Sequence, residues 1–282
     1  MKWRHTVWLL VVALAAACSH SPDKSPVSHD AFTQTWTTQP VLFVGLGDSV
    51  TAGFGARRGY SYFDRLARNP DDESADMRGT CLSKVLPNLV TRNLAVSGST
   101  SLHLLEKQLP HLEVQPTNTL GLVVITTGGN DLIHDYGRNA PHEGAMFGAS
   151  WEQAQPWIAN FEKRLDAILD GVTQRFPGGC HIFLANIYDP SDGTGRIRTS
   201  AVSLPDWQDG VKILTAYNDI IARVNTKRPN VHLVDAYAAF RGHGIMASVS
   251  QCWYFGNVED PNEQGYDALR RLFLLEMAKV MK

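Results

Sequence analysis

Uninterrupted apolar runs alternate along this chain with stretches whose apolar residues recur at helical spacing. Val41 to Leu46 is nearly continuous, as expected of a parallel strand covered on both faces. Asn88 to Ala95, Leu120 to Thr127, His181 to Ile187 and Val231 to Val234 read as further strands. Between them lie helical patterns: a short one over Tyr60 to Asn69 and another near Thr100 to Gln108. The clearest helix runs from Ser150 to Phe176, where Trp151, Ala154, Trp157, Ile158, Phe161, Leu165, Ile168, Leu169 and Val172 form one stripe. Ser150 with Gln153 makes a capping box, and Pro177-Gly178-Gly179 stops the helix. Its tryptophans are better read as core than as a cofactor box. Helices over Gly210 to Thr226 and Gln264 to Met281 complete the alternation, and Arg68 to Thr80 reads as an acidic loop. Strand–helix alternation predicts an α/β fold, a doubly wound three-layer sandwich with a parallel sheet of about five strands. The C-terminal ends of its strands should form one active edge.

Before this body, Lys2 and Arg4 precede an uncharged apolar run from Val7 to Ala17, a signal-peptide pattern too short to span a bilayer. Ala15-Ala16-Ala17-Cys18 resembles the cleavage box of bacterial lipoproteins, in which the cysteine is lipidated, and Ser19 after it resembles the outer-membrane sorting pattern. The expectation is residues 1–17 as leader, 18–40 as a flexible tether rich in Ser, Thr, Pro and His, and 41–282 as a single domain in the cell envelope. Ordinary secretion is the alternative. The formal net charge of −2 carries no basic patch, which argues against a nucleic-acid partner. Cys81, Cys180 and Cys252 do not resemble a zinc site, and an exported compartment permits one disulfide among them.

Three strand ends deliver unusual residues to the active edge. The first gives Gly47-Asp48-Ser49, the second Val96-Ser97-Gly98-Ser99, the third Thr127-Gly128-Gly129-Asn130-Asp131. Acyl transfer needs a nucleophile and donors aimed at the oxyanion. Ser49 supplies a hydroxyl. The Ser49 and Gly98 backbone N–H groups and the Asn130 side-chain amide are candidate donors, and Gly98 admits close approach because it has no Cβ. Each piece alone has a plainer reading, as a turn or a helix cap; three in succession are harder to dismiss. A dinucleotide fingerprint would need a third glycine where Val50 stands, so a nucleotide- or flavin-binding sandwich is disfavoured.

Together these blocks resemble the SGNH (GDSL) hydrolase family: Gly47-Asp48-Ser49 with Thr51-Ala52-Gly53, then Gly98, then Gly129-Asn130-Asp131. The resemblance spans most of the body. It implies a flavodoxin-like fold, hydrolysis of acyl esters without metal or cofactor, Ser49 as nucleophile, and Gly98 and Asn130 completing the oxyanion hole. The last block departs from the family's D-x-x-H. Asn257-Val258-Glu259-Asp260-Pro261-Asn262 puts Asp260 where the base belongs and Asn257 where its orienting acid belongs. Asp260 followed by Pro261 and Glu263 also reads simply as a helix start. His243, flanked by glycines in Phe240-Arg241-Gly242-His243-Gly244, is the rival candidate base, and His134 a weaker one. The expectation is a lipid-anchored esterase with a replaced base, acting on a small-molecule, glycan or lipid ester. The alternative is an impaired member of the fold that binds or scaffolds. Segments Asp131 to Ala149 and Tyr188 to Gln208 should overhang the edge, with Tyr188 and Trp207 available to a sugar or an acyl chain.

Overall fold

A computed structural model describes residues 27–199 and 203–281; the leader, Cys18 and the start of the tether lie outside the described residues. Five strands, β1 (Val41–Gly47), β2 (Leu89–Asn93), β3 (Leu120–Thr126), β4 (Cys180–Ala185) and β5 (Val231–Val234), form one sheet in the order β2-β1-β3-β4-β5. All four pairings are parallel. This is the flavodoxin-like α/β sandwich that the alternation predicts, with β1 beside β3 at the point where strand order reverses.

The period of two along each strand sorts the core into two layers. Leu42, Val44 and Leu46 of β1 face the helices α6 (Trp151–Arg175) and α7 (Gly210–Lys227), where Phe161, Leu165, Ile213 and Ile221 cover them. Val41 and Phe43 face the other way, toward α2 (Tyr62–Ala67) and α9 (Glu263–Met281), against Phe63, Leu66, Phe273 and Leu274. The capping box at Ser150 and Gln153 is present. Short helices α1 (Ser49–Ala52), α3 (Leu82–Val85), α4 (Ser101–His103), α5 (Gly129–Ile133) and α8 (Ala236–Phe240) follow strand ends or loops. Sequence periodicity does not separate α8 from the loop after β5, because five residues are too few to show a 3.6-residue period.

Two departures from expectation have clear physical reasons. From Val27 onward the proposed tether lies on the body: Val27, Ala31 and Phe32 are buried, and the Trp36 indole N–H donates to the Ala31 carbonyl at 2.7 Å. Three apolar side chains on a polar segment suffice to dock it. The permitted disulfide is not formed. Cys81, Cys180 and Cys252 are free, since they stand before α3, at the start of β4 and in the loop ahead of α9. Among the described residues, no helix is long and apolar enough to cross a membrane.

The acidic loop is anchored rather than free. Glu73 is buried between Arg65 of α2 and Arg270 of α9; Arg65 approaches at 2.7 Å, and Arg270 also reaches Asp267 at 2.6 Å. Burial works to raise the Glu73 pKa, but the two guanidinium groups outweigh it and hold it down to about 2.

Candidate active site

At Gly47 the backbone turns with φ of +123°, and a Cβ there would stand 1.9 Å from the Thr126 carbonyl oxygen, so only glycine fits. Asp48 then caps α1: its Oδ1 accepts from the Val50 N–H at 3.1 Å and from the Thr126 hydroxyl at 2.7 Å. Thr51 continues the network to Thr126 at 2.7 Å and to the Tyr62 hydroxyl at 2.6 Å. Ser49, the first residue of α1, is left half-buried at the strand end. The Asp48 carboxyl is itself deeply buried. Burial pushes its pKa up to about 7, with the Asp260 charge adding to the rise and the Thr126 and Val50 hydrogen bonds opposing it.

The second block is fastened to the first by a side chain that the sequence motifs do not mark. Gln108 accepts from the Gly47 N–H at 2.8 Å, donates to the Gly47 carbonyl at 2.7 Å, and donates to the Ser99 hydroxyl at 2.8 Å. It is buried, but Glu106 and Lys107 directly before it make its polarity unremarkable in the sequence, and no local signal singles it out. Gly98 has φ of +80°; a Cβ there would find only the His134 ring, at 4.0 Å, so backbone conformation rather than crowding favours glycine.

The third block meets the second directly. The Asn130 side-chain amide donates to the Ser99 carbonyl at 3.0 Å. Its neighbour Asp131, fully buried, accepts from the Ser101 N–H at 2.7 Å and the Ser101 hydroxyl at 2.5 Å, with Arg164 at 3.4 Å. Asp131 therefore splices α5 onto the start of α4. Burial raises its pKa against those hydrogen bonds.

The fourth piece comes from the loop before α9. Asp260 does not cap that helix. Asn262 does, with its Oδ1 accepting from the Gln264 N–H at 2.9 Å and the Gly265 N–H at 3.1 Å. Freed from capping, the Asp260 carboxyl turns inward. Oδ2 accepts from the Asn257 side-chain amide N–H at 2.6 Å, and Asn257 Oδ1 accepts from the Asp260 backbone N–H at 3.2 Å. Oδ1 is buried and has no regular hydrogen bond. The Asp260 pKa is raised by burial, with Ser49 the first of the groups that oppose the rise and Asn257 the second. The Ser49 hydroxyl thus stands close enough to act on this carboxyl without a fully formed bond to it. Two tyrosines hold the loop: Tyr136 donates to the Asn257 carbonyl at 3.2 Å and Tyr188 to the Glu259 carbonyl at 2.6 Å. Neither contact is readable from spacing.

His243 is engaged elsewhere. Its ring lies flat on Trp253, 3.6 Å between centroids, and Nδ1 lies 2.8 Å from the Gln251 carbonyl oxygen. It does not line the cavity beside Ser49. His134 is exposed beside Gly98. His103 approaches the Ser99 hydroxyl at 3.1 Å, and His232 pairs with His181 at 3.1 Å on β5 and β4.

Ser49, Asp48, Asn130, Thr127, Glu259 and Asp260 share one cavity of about 110 Å³. Among the described residues, no group of three or more His, Cys, Asp or Glu is arranged to hold a metal ion. A half-buried hydroxyl beside a buried carboxyl, with the Asn130 amide in the same cavity, is chemistry suited to nucleophilic attack on an acyl carbon, whereas Gly98 is not among the residues that line that cavity.

The sequence matches no curated protein. Among solved structures, this chain is similar to the lipase Lip_vut3 from a goat rumen metagenome, at 17% identity and a TM-score of 0.58, covering 86% of this chain and 100% of that one. It is similar to an extracellular lipase from Streptomyces rimosus at 19% identity and a TM-score of 0.53, covering 84% and 99%. A phospholipase A1 from Streptomyces albidoflavus aligns at 18% identity and a TM-score of 0.51, covering 85% and 98%. At such identities these likenesses speak to fold alone. The family model of the GDSL-like lipases and acylhydrolases, however, matches residues 46–268, which take in all four segments just described, and the chain belongs to that family of hydrolases.

Proposed function

We propose that this protein is a serine ester hydrolase in which a carboxylate, Asp260, does the proton transfer that the family assigns to histidine. The observation carrying the reading is the meeting of the Ser49 hydroxyl and the buried Asp260 carboxyl in one cavity. In the first step the Ser49 oxygen bonds to the ester carbonyl carbon while its proton passes to Asp260, and the carbonyl oxygen becomes an oxyanion. The Ser49 and Gly98 N–H groups and the free N–H of the Asn130 amide are the donors for that charge. Collapse breaks the bond to the alcohol, which leaves with the proton from Asp260. Water then attacks the acyl-serine by the same route and releases the acid.

An ordinary aspartate is a weak base for a serine hydroxyl. Burial makes Asp260 a stronger one, and Asn257 holds its second oxygen in place. Asn257, being uncharged, does this without adding another negative charge to a site that already contains Asp48 and Glu259. The competing reading, a binding protein with impaired turnover, draws on Asp260 Oδ1 having no regular hydrogen bond to Ser49.

A fluorophosphonate probe separates the two. Ser49 should label rapidly, labelling should vanish in Ser49→Ala, and Asp260→Asn should slow both labelling and p-nitrophenyl ester turnover. An inert Ser49 in folded protein would leave only the binding reading. From Lys2, Arg4, the Val7 to Ala17 run and Cys18 we also propose export and lipid anchoring. Radiolabelled palmitate should enter the wild type and not Cys18→Ala.

A further inference from the structure

The loop that carries Asp260 is closed on itself like a hairpin. The Asn262 N–H donates to the Trp253 carbonyl at 2.9 Å, and the Phe255 N–H donates to the Asp260 carbonyl at 2.7 Å. At its tip the Val258 N–H donates to the Phe255 carbonyl at 2.9 Å, and Val258 has a φ of +62°. A β-branched residue in the left-handed region is strained, and such a conformation persists only where its surroundings hold it. Tyr136 and Tyr188 hold the loop through the Asn257 and Glu259 carbonyls. A further hold comes from two exposed rings. Phe54 and Phe255, 45% and 43% exposed, meet edge to face with centroids 6.2 Å apart and planes at 86°. Neither lines the cavity at Ser49. Phe54 belongs to the turn after the nucleophile: its N–H donates to the Ser49 carbonyl at 2.9 Å, and its carbonyl accepts from the Tyr266 hydroxyl at 2.7 Å. A Cβ on the next residue, Gly55, would fall 3.4 Å from the Phe255 ring, so the two turns lie in contact.

Resting on the hydrolase reading above, we infer that Phe54 and Phe255 are positioning residues, an aromatic clasp that fixes the Asp260 loop against the turn bearing Ser49. The circuit is short. From Ser49 one hydrogen bond leads to Phe54, the ring contact leads on to Phe255, and one more hydrogen bond reaches Asp260. Edge-to-face rings attract beyond the area they bury, so the pair orients as well as covers. A displacement of about 1 Å at a reacting group can cost about 100-fold in rate, so a modest clasp has a large kinetic lever. Because neither ring meets the cavity, its loss should fall on kcat and leave KM nearly unchanged.

Turnover of p-nitrophenyl acetate tests this. Phe54→Ala and Phe255→Ala should each lower kcat about 10-fold or more, the double variant should be no worse than either, and Phe255→Tyr should restore the rate. Added to Asp260→Asn, Phe255→Ala should cost less than about twofold further, because the clasp acts through that carboxyl. If Asp260→Asn slows turnover while Phe255→Ala does not, the clasp is overturned and the hydrolase reading stands. An equal loss from Phe255→Ala with and without Asp260 would overturn it too. If no ester is cleaved and Ser49 stays inert, the hydrolase reading fails instead, and amide hydrogen exchange decides the clasp. There Phe54→Ala should speed exchange at the Phe255 N–H about 10-fold or more while the β3 amides keep their protection. Unchanged protection at Phe255 would sink the clasp whatever Ser49 does.

Discussion

Replacing Asp48 by asparagine should make the protein more stable at neutral and alkaline pH. Asp48 is buried, and its folded-state pKa is about 7 against an ordinary 3.8. The folded state therefore holds a proton that the unfolded state has released, throughout the window between those values. Where the native state binds more protons, stability falls as pH rises. The loss begins near pH 4, runs through about pH 7, and levels off above it. At about 1.36 kcal/mol per pH unit the full displacement corresponds to about 4 kcal/mol, and relaxation around the charge makes about 2–4 kcal/mol the realistic range. The amide in Asp48→Asn would keep the oxygen that accepts from Val50 and Thr126 while lacking the ionisation. Urea unfolding of both proteins at pH 4.5, 6, 7 and 8 measures the difference directly. Asp131, Glu259 and Asp260 also have raised values, but they are common to both proteins and largely cancel. The stability gap should widen from pH 4.5 to pH 8. Parallel curves would refute the assignment of a buried, proton-retaining Asp48.

Other substitutions probe the remaining parts. Asp260→Asn should lower kcat by about 100-fold or more, the usual contribution of a general base, while Asn257→Asp combined with Asp260→His should give a pH–rate profile whose acid limb lies near the histidine range of about 6.5. Wild type should lose activity as pH falls through the raised Asp260 pKa, above the ordinary carboxylate value, because only the ionised form accepts the serine proton. Arg270→Ala should cost about 3–5 kcal/mol in chemical denaturation, since it leaves Glu73 and Asp267 buried beside each other with one guanidinium fewer. In the wild type, Glu73, depressed from 4.5 to about 2, contributes stability that is present above pH 4.5 and lost as pH falls toward 2. Gln108→Leu should cost about 1–3 kcal/mol for each backbone group at Gly47 left without a partner, and should lower kcat more than it changes KM, because Gln108 sets the strand end that carries Ser49.

The sheet is legible in the sequence because buried parallel strands write themselves as apolar runs, and α6 because twenty-five residues show a helical period clearly. Ser49, Gly98 and Asn130 are legible as candidates because each follows a strand, and the register supplies what the sequence lacks: β1 sits between β2 and β3, pairing Gly45 with both Asn93 and Val124. The start of α9 is where local reading fails. Asp260, Pro261 and Glu263 satisfy the local rules for a helix start, yet Asn262 caps equally well two residues later, and local preference does not choose between them. Only burial decides, and burial is a tertiary property. The same holds for Gln108, Tyr136 and Tyr188, whose partners lie 61, 121 and 71 residues away.

On the proposed reading, that two-residue displacement of the cap is what leaves Asp260 available for carboxylate chemistry. A capping aspartate would spend its oxygens on backbone N–H groups, which favour the charged form and push the pKa down. Asn262 takes over those donors and leaves Asp260 with one oxygen on Asn257 and the other buried without a hydrogen-bond partner, in the cavity that Ser49 also lines. Burial outweighs the opposing Ser49 and Asn257 hydrogen bonds and raises the Asp260 pKa, in the direction a base for a hydroxyl requires. If Asn257 were still an acid, two carboxylates within hydrogen-bond reach could not both ionise, and one would hold a proton between them. On the proposed reading the amide at position 257 and the carboxylate at position 260 belong together: the pair holds one ionisable group, oriented by a neutral partner in place of the family's acid.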